Sequence, residues 1–124
     1  MANLTYVTVG TNQLENALSF YDQLLQGTGF KTIYDHPRGG RLYGNGTVMF
    51  GILKPFDGEV ATIGNGSMFG FSCNTFDEVD ALYSKAIELG ASDEGAPGER
   101  TPGMYFSYFR DLDGNKLCAY CMKQ

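Results

Sequence analysis

The segment at residues 110–121, which reads RDLDGNKLCAYC, decides the fold of this 124-residue chain. The preceding residues 104–109 are rich in aromatic side chains, which favours a β-strand. Residues 113–115, Asp-Gly-Asn, tolerate positive φ angles, so the chain can reverse there. These features predict a β-hairpin whose second strand alternates between two faces, with Leu117, Ala119 and Cys121 on one and Cys118, Tyr120 and Met122 on the other.

The composition is that of a globular protein, with 43% hydrophobic and 19% charged residues in a chain of one-domain length. A net charge of -5 disfavours a nucleic-acid-binding surface, which needs clustered Lys and Arg. No apolar run reaches membrane-spanning length, and the first residues lack the pattern of a signal peptide. The three cysteines lack the spacing of a disulfide framework or a zinc site. We therefore expect a cytoplasmic protein with reduced thiols that binds neither nucleic acid nor a membrane.

The first half of the chain predicts the order βαβββ. Residues 4–9 are rich in β-branched residues, and Asn12 with Glu15 has the spacing of a capping box at a helix start. An Asn-Gly pair at residues 45–46 predicts a hairpin turn. The remaining strands are predicted at residues 30–35, 41–44 and 47–53.

The second half predicts the same order after a Gly- and Pro-containing connection at residues 55–66. Residues 68–73 predict a strand, and Thr75 with Glu78 predicts a capped helix. Residues 91–103 contain several Gly and Pro, so we expect any strand there to be short.

An offset of 62 residues aligns the two halves and pairs Tyr6 with Met68. This repeat predicts an α+β fold: one domain of two βαβββ modules, at about residues 1–54 and 67–124, whose helices lie outside a shared concavity. The apolar helix stripes are Leu14, Ala17, Leu18, Tyr21 and Leu25 in the first half and Val79, Leu82, Tyr83, Ala86 and Ile87 in the second.

With these elements the chain resembles the vicinal oxygen chelate superfamily, which includes glyoxalase I, the bleomycin resistance proteins and extradiol dioxygenases. The matching segments are LTYVTVGTNQLE at residues 4–15, ALSFYD at residues 17–22 and DLDGN at residues 111–115. The last is similar to the family's Asp-Pro-Asp-Gly-Asn turn, with Leu112 in place of proline. The resemblance covers nearly the whole chain. It implies two βαβββ modules that form a cup-shaped, mostly antiparallel sheet, in a homodimer.

The family's metal-using members hold a divalent ion in the cup, usually with His and Glu ligands. The resemblance places the ligand positions at Tyr6, Met68 and Cys118 and within residues 48–53, where this chain has no His, carboxylate or amide. A phenol, a thioether and a thiol do not match the donors that Zn, Ni, Fe or Mn prefers. We therefore expect no metal and no cofactor, and we assign no catalytic residue.

The predicted lining of the cup combines aromatic rings, sulfur atoms and a few hydroxyls. This mixture suits an apolar or aromatic small molecule as ligand. The strand phases leave two pairs of alternatives open, Tyr105 or Tyr108 and Met49 or Phe50. The predicted ligand-binding residues are Tyr6, Thr8, Met68, Ser72, Tyr105, Cys118 and Tyr120.

Other candidate residues have plainer interpretations. His36, the one histidine, lies in a loop near Arg38 and Arg41, where it can be a general base, a metal ligand or simply solvated. Arg38, Arg41 and Arg100 lie near Gly-rich loops, where they can hold an anionic group or serve solubility. Cys118 would need a lowered pKa to act as a nucleophile, whereas burial raises it. Asp111 and Asp113 are expected to cap backbone amides of the turn rather than to form an acid–base pair.

Three hypotheses of function follow. The first is a metal-independent protein of the bleomycin resistance type that binds a small molecule in the cup. The second is a glyoxalase-like lyase or isomerase, or a dioxygenase, with a displaced metal site. The third is a dimeric interaction module without a small ligand. The sequence leaves open whether the cup forms within one chain or between two.

Overall fold

The computed structural model describes residues 1–123, which contain two helices and eight strands in two four-stranded sheets. The chain divides into two compact units, residues 1–63 and residues 64 onward, and the division falls within the predicted connection. Each unit has one helix and one mixed sheet, so the α+β prediction with two βαβββ modules is confirmed. Neither helix has the length and apolarity that crossing a membrane requires.

The two units have the same order of elements. The first contains β1 (Tyr6–Gly10), α1 (Leu14–Leu24), β2 (Lys31–Asp35), β3 (Gly40–Gly44) and β4 (Met49–Leu53). The second contains β5 (Phe69–Ser72), α2 (Phe76–Glu88), β6 (Ser92–Thr101), β7 (Met104–Arg110) and β8 (Lys116–Met122). The sheet orders β1-β4-β3-β2 and β5-β8-β7-β6 are equivalent, and the helices begin 62 residues apart. The predicted repeat is therefore confirmed.

The core of the first unit lies between α1 and one face of its sheet. Tyr21 is 1% exposed, and its ring centroid lies 5.4 Å from that of Phe50 on β4. Phe50 is thus a core residue, which decides between the two alternatives Met49 and Phe50: Phe50 does not lie on the face away from the helix. The helix buries Ala17, Phe20, Tyr21 and Leu24, of which the predicted stripe contained the first and third.

The core of the second unit lies between α2 and β7 and β8. The helix buries Val79, Leu82 and Ala86, as predicted. The prediction for Ile87 was wrong, because this side chain is 36% exposed. At 3.6 residues per turn, Ile87 lies about 100° around the helix from Ala86, at the margin of the buried stripe.

The two helices begin differently. Thr75 and Glu78 form the predicted capping box, since the Thr75 hydroxyl accepts a hydrogen bond from the Glu78 amide and the Glu78 carboxylate accepts one from Thr75, each 3.1 Å long. The prediction of Asn12 as the cap of α1 was wrong, because Gln13 occupies that position. Asn12 instead pairs with the backbone of Ala61, accepting from its amide at 2.7 Å and donating to its carbonyl at 2.9 Å. This pair ties the connection to the first unit.

Strand β6 is longer than predicted. It spans ten residues at the edge of its sheet, and three register shifts interrupt its pairing with β7. Gly95, with a φ of 154°, borders two of these shifts, and Pro97 lies between the paired positions Gly95 and Gly98. The prediction of a short strand was wrong because Pro, which cannot pair within a central strand, is tolerated at a sheet edge, and Gly is common at bulges.

The hairpin between β7 and β8 is held by the carboxylate of Asp111, which is 5% exposed. Its Oδ1 accepts hydrogen bonds from the amides of Asp113 and Asn115, and its Oδ2 accepts one from the Asn115 side chain, all at 2.9 Å. Gly114 supplies the positive φ angle of 94° that the reversal requires. The predicted hairpin and the predicted role of Asp111 are both confirmed.

Replacing Asp111 by alanine is expected to lower the free energy of unfolding by about 3 kcal/mol, because donors of a buried turn lose a charged acceptor. Asp57→Ala is the matched control, since the exposed Asp57 accepts one amide hydrogen bond from Glu59 at 2.9 Å in another turn. This control is expected to cost less than about 1 kcal/mol. Urea unfolding followed by circular dichroism measures both, and equal losses would contradict the role given to Asp111.

Candidate functional site

Each sheet has one face that packs against its helix and an opposite face, which we call the distal face. In the second unit, Leu117, Ala119 and Cys121 face α2, and the intervening residues of β8 lie on the distal face, as predicted. The register pairs Cys118 with Gly70 of β5 and Tyr120 with Ser72. The structure therefore brings Ser72, Cys118 and Tyr120 together on one surface.

Three aromatic rings stack on this distal face. Tyr120 of β8 pairs in register with Phe106 of β7, and their ring centroids lie 4.9 Å apart at an interplanar angle of 11°. Tyr108 follows two residues along β7, with its centroid 6.1 Å from that of Phe106. We call Tyr120, Phe106 and Tyr108 the aromatic ladder. All three side chains are half-buried, so each keeps part of its ring surface accessible.

Two cations lie at the Tyr108 end of the aromatic ladder. The Arg100 guanidinium is 5.5 Å from the Tyr108 centroid, and the Lys116 ammonium is 5.3 Å from it. Arg100 is held in place by β6, because it donates to the carbonyls of Ala96 at 2.8 Å and Gly98 at 3.0 Å. These cation–π contacts fix the orientation of the terminal ring.

Gly70 makes room for the side chains beside it. A Cβ atom at this position would lie 2.9 Å from Cys118 Sγ and 3.1 Å from Cε1 of the Tyr120 ring. Cys118 is 2% exposed, and burial raises the pKa of its thiol to about 11. The thiol is therefore protonated at neutral pH, which agrees with its predicted lack of nucleophilic character.

A groove of about 690 Å³ adjoins the Tyr120 end of the aromatic ladder. It lies at the carboxyl ends of the parallel strands β5 and β8, beside the first residues of α2. Two of the predicted site residues, Ser72 and Tyr120, line it. Its other lining residues include Asn74, Thr75, Phe76, Met122 and Lys123.

Tyr105 lies on the helix side of the sheet, which corrects its placement among the lining residues. Its ring stacks on Phe76 of α2 with centroids 4.3 Å apart, and its hydroxyl donates to Asp80 at 2.5 Å. Tyr108 takes the distal position, because β7 turns its even-numbered residues to that face. Met68 directly precedes β5 and is 44% exposed.

The remaining predicted residues, Tyr6 and Thr8, lie on β1 in the first unit. They pair in register with Met49 and Gly51 of β4, so Met49 rather than Phe50 shares the distal face with them. Both Tyr6 and Thr8 are exposed. Their association with Met68 and Cys118 around one cup stays a prediction.

The donor set at the family's metal positions does not fit a divalent ion. Tyr6 offers a phenol, Met68 a thioether and Cys118 a thiol with a pKa of about 11, whereas divalent ions of this class bind imidazole and carboxylate. Among residues 1–123, no three His, Cys, Asp or Glu side chains are grouped to hold a metal ion. Metal independence stays a prediction.

Arg41, a predicted anion-holding candidate, has a structural role. Its guanidinium donates to the carboxylates of Asp22 and Asp35, each at 2.7 Å. Tyr43 donates to the same Asp22 at 2.6 Å, and burial together with this carboxylate raises the pKa of Tyr43.

The sequence analysis did not predict the aromatic ladder as a unit, although the aromatic residues at alternate positions of residues 104–109 were a signal for it.

Known proteins with similar sequences and structures indicate the family of this chain. The family model of the Glyoxalase/Bleomycin resistance protein/Dioxygenase superfamily matches residues 3–119. A glyoxalase/bleomycin resistance protein from Albidiferax ferrireducens T118 is 37% identical in sequence, with a TM-score of 0.87 over 95% of this chain and 97% of that one. No curated protein matches the chain.

Two more distant structures share the fold. The lactoylglutathione lyase from Agrobacterium tumefaciens is 18% identical, with a TM-score of 0.74 over 98% of this chain and 94% of that one. The fosfomycin resistance protein FosX from Listeria monocytogenes is 16% identical, with a TM-score of 0.75 over 98% and 93%. The family model and the 37% identical relative carry the assignment: this chain belongs to the glyoxalase/bleomycin resistance protein/dioxygenase superfamily, within the vicinal oxygen chelate fold.

Proposed function

We propose that this protein binds an apolar or aromatic small molecule on the aromatic ladder and in the adjoining groove, without a metal ion. The observation that carries this proposal is the stack of Tyr120, Phe106 and Tyr108 on the face of the sheet opposite its helix. Flat, partly exposed rings bind planar apolar molecules, because stacking adds to the free energy of apolar burial.

Polar groups at the groove give the ligand an orientation. Ser72, Asn74 and Thr75 bring hydroxyl and amide groups to the rim, and Lys123 brings a cation. Phe76 and Met122 add apolar surface beside Tyr120. A flat ring with one or two polar substituents matches this lining better than a purely aliphatic molecule.

The donor chemistry supports binding over metal catalysis. Enzymes of this family use a divalent ion, and the residues at those positions here are a phenol, a thioether and a protonated thiol. The 37% identical relative is named a glyoxalase/bleomycin resistance protein, and the bleomycin resistance type is the one for which we propose binding without a metal ion. The side chains at the metal positions therefore favour the binding type.

Assembly as a homodimer is part of this proposal, as the family resemblance implies. Apolar side chains at strand ends are available to a second copy, since Tyr6 is 47%, Met104 38% and Met122 53% exposed. Sedimentation equilibrium is expected to give twice the 13.6 kDa mass of the chain.

Tyr120→Ala is expected to weaken binding of N-phenyl-1-naphthylamine, a neutral fluorescent aromatic probe. Removing one ring of the aromatic ladder costs about 1.4 kcal/mol of stacking and apolar contact, or roughly tenfold in affinity. Tyr34→Ala is the matched control, because Tyr34 is an exposed tyrosine on the edge strand β2 of the first unit. Probe fluorescence titration measures both variants.

Two results of that titration would overturn the proposal. The first is probe affinity that is equal in the two variants, which would place the probe away from the aromatic ladder. The second is affinity that is lost on treatment with EDTA and restored by Ni²⁺, Zn²⁺, Mn²⁺ or Fe²⁺. Restoration by a metal would favour the enzyme hypothesis, which a turnover assay with the same ions then tests.

Gly70→Ala is expected to weaken probe binding roughly fivefold, or about 1 kcal/mol, because the new methyl group displaces Cys118 Sγ and the Tyr120 ring. Gly44→Ala in the first unit is the control. Its Cβ would lie 3.0 Å from the Ile33 side chain, a similar steric demand, and neither glycine has a positive φ angle. Wild-type affinity in Gly70→Ala would show that the ligand does not depend on the position of Tyr120.

A further inference from the structure

The first unit contains a groove of its own, with a volume of about 570 Å³. Its walls are the turn at residues 36–39 and a segment at residues 54–62 that includes the first part of the connection. Thr8, Gly10 and Leu53 at the ends of β1 and β4 also line it. We call it the first-unit groove. The Asn12–Ala61 pair holds the connection in place, so the groove has two fixed walls.

Arg38 is oriented by the opposite wall. Its guanidinium carbon lies 4.6 Å from the centroid of the Phe56 ring, and its Nη2 donates to the Phe56 carbonyl at 3.2 Å. An arginine held at two points loses less side-chain freedom when it binds a ligand. Its other N–H groups suit an oxyanion, since the planar guanidinium matches carboxylate and phosphate oxygens.

His36 adds a second donor to the same wall. Its Nδ1 accepts a hydrogen bond from the Arg38 amide at 3.1 Å, so the proton of the neutral ring lies on Nε2. The turn itself is closed by backbone hydrogen bonds of 3.0 Å from His36 to Gly40 and from Gly39 to His36. The His36 ring therefore presents a donor nitrogen from a fixed turn.

Lys54 brings a second cation against this turn. Its amide donates to the Gly39 carbonyl at 3.1 Å. A Cβ atom at Gly39 would lie 2.9 Å from Lys54 Cδ, so the glycine is what lets the lysine side chain lie along the turn. The ion pairs of the described residues 1–123 use Arg41 and Arg110, which leaves the charges of Arg38 and Lys54 unneutralised by a salt bridge.

The charge of the first-unit groove opposes that of the whole chain. The chain has a net charge of -5, yet the groove is lined by Arg38, Lys54 and His36 against one carboxylate, Asp57. Asp57 Oδ1 accepts a hydrogen bond from the Glu59 amide at 2.9 Å. The rest of the lining is largely apolar and includes Leu53, Pro55, Phe56, Val60 and Ala61.

We infer that the first-unit groove is a second binding site, for a small organic molecule that joins an oxyanion group, carboxylate or phosphate, to an apolar body. The Arg38 guanidinium, the Lys54 ammonium and His36 Nε2 bind the oxyanion. The apolar wall formed by Pro55, Phe56 and Val60 covers the body of the molecule. This site does not depend on the aromatic ladder.

The test uses His36, the one histidine of the chain, as a reporter within the groove. The ¹H–¹³C imidazole signals of labelled protein are followed during titration with 2-naphthoate, 2-naphthyl phosphate and neutral 2-naphthol. Saturable shifts are expected with the two anions, and affinity for 2-naphthol is expected to be at least roughly tenfold weaker. The tighter of the two anions identifies the oxyanion class.

Arg38→Gln and Lys54→Gln are each expected to weaken anion binding roughly tenfold, and raised salt is expected to weaken it in the wild type. Lys31→Gln is the control, because it removes the same charge from an exposed residue of β2 that does not line the groove. Urea midpoints equal to that of the wild type establish that the variants fold.

Three outcomes would overturn the inference: no saturable shift at His36 with either anion, equal affinity for 2-naphthol, or unchanged affinity in both glutamine variants. Tyr120→Ala is expected to keep wild-type anion affinity in the His36 titration, because Tyr120 does not line the first-unit groove. The proposals for the two sites can therefore be supported or contradicted separately.

Discussion

The register between β7 and β8 is the constraint on which the second unit depends. Residues of a strand alternate between faces, so a slip of one residue would exchange the core side chains for those of the aromatic ladder. The buried carboxylate of Asp111 prevents this slip, because it binds two amides and one side-chain amide of the turn between the strands. One turn thus fixes both the hydrophobic core and the proposed binding surface.

The same backbone order carries different chemistry in the two units. In the second, Gly70 opens space beside Cys118 and Tyr120, and stacked rings occupy the distal face. In the first, the cations of Arg38 and Lys54 lie at a groove between a turn and the connection. The repeated βαβββ unit therefore provides two sheets whose surface side chains can differ independently. This is consistent with the variety of functions found on one fold.

The strands, the helices and the repeat were predictable because their signals are local and periodic. Prediction from the sequence failed most clearly where a residue had two possible hydrogen-bond or packing partners. Thr75 capped its helix as predicted, whereas Asn12, with the same type of signal, bonds to Ala61 far along the chain. Tyr105 and Tyr108 differ only in strand phase, and the Tyr105–Asp80 hydrogen bond across to α2 is a tertiary contact. Such long-range partners leave no local pattern in a sequence.

The site was predictable in its composition but less so in its arrangement. Ser72, Cys118 and Tyr120 share a surface because of strand alternation and the parallel register between β5 and β8. For the first-unit groove the sequence indicated His36 and Arg38, which are neighbours in one loop. It did not indicate Lys54, which a backbone hydrogen bond to the glycine turn brings beside them. Replacing His and Glu ligands by a phenol, a thioether and a buried thiol removes the charge that holds a divalent ion. Under the proposed function, recognition comes from ring stacking in the second unit. At the inferred second site it comes from Arg38 and Lys54 of the first unit, which no salt bridge among residues 1–123 neutralises.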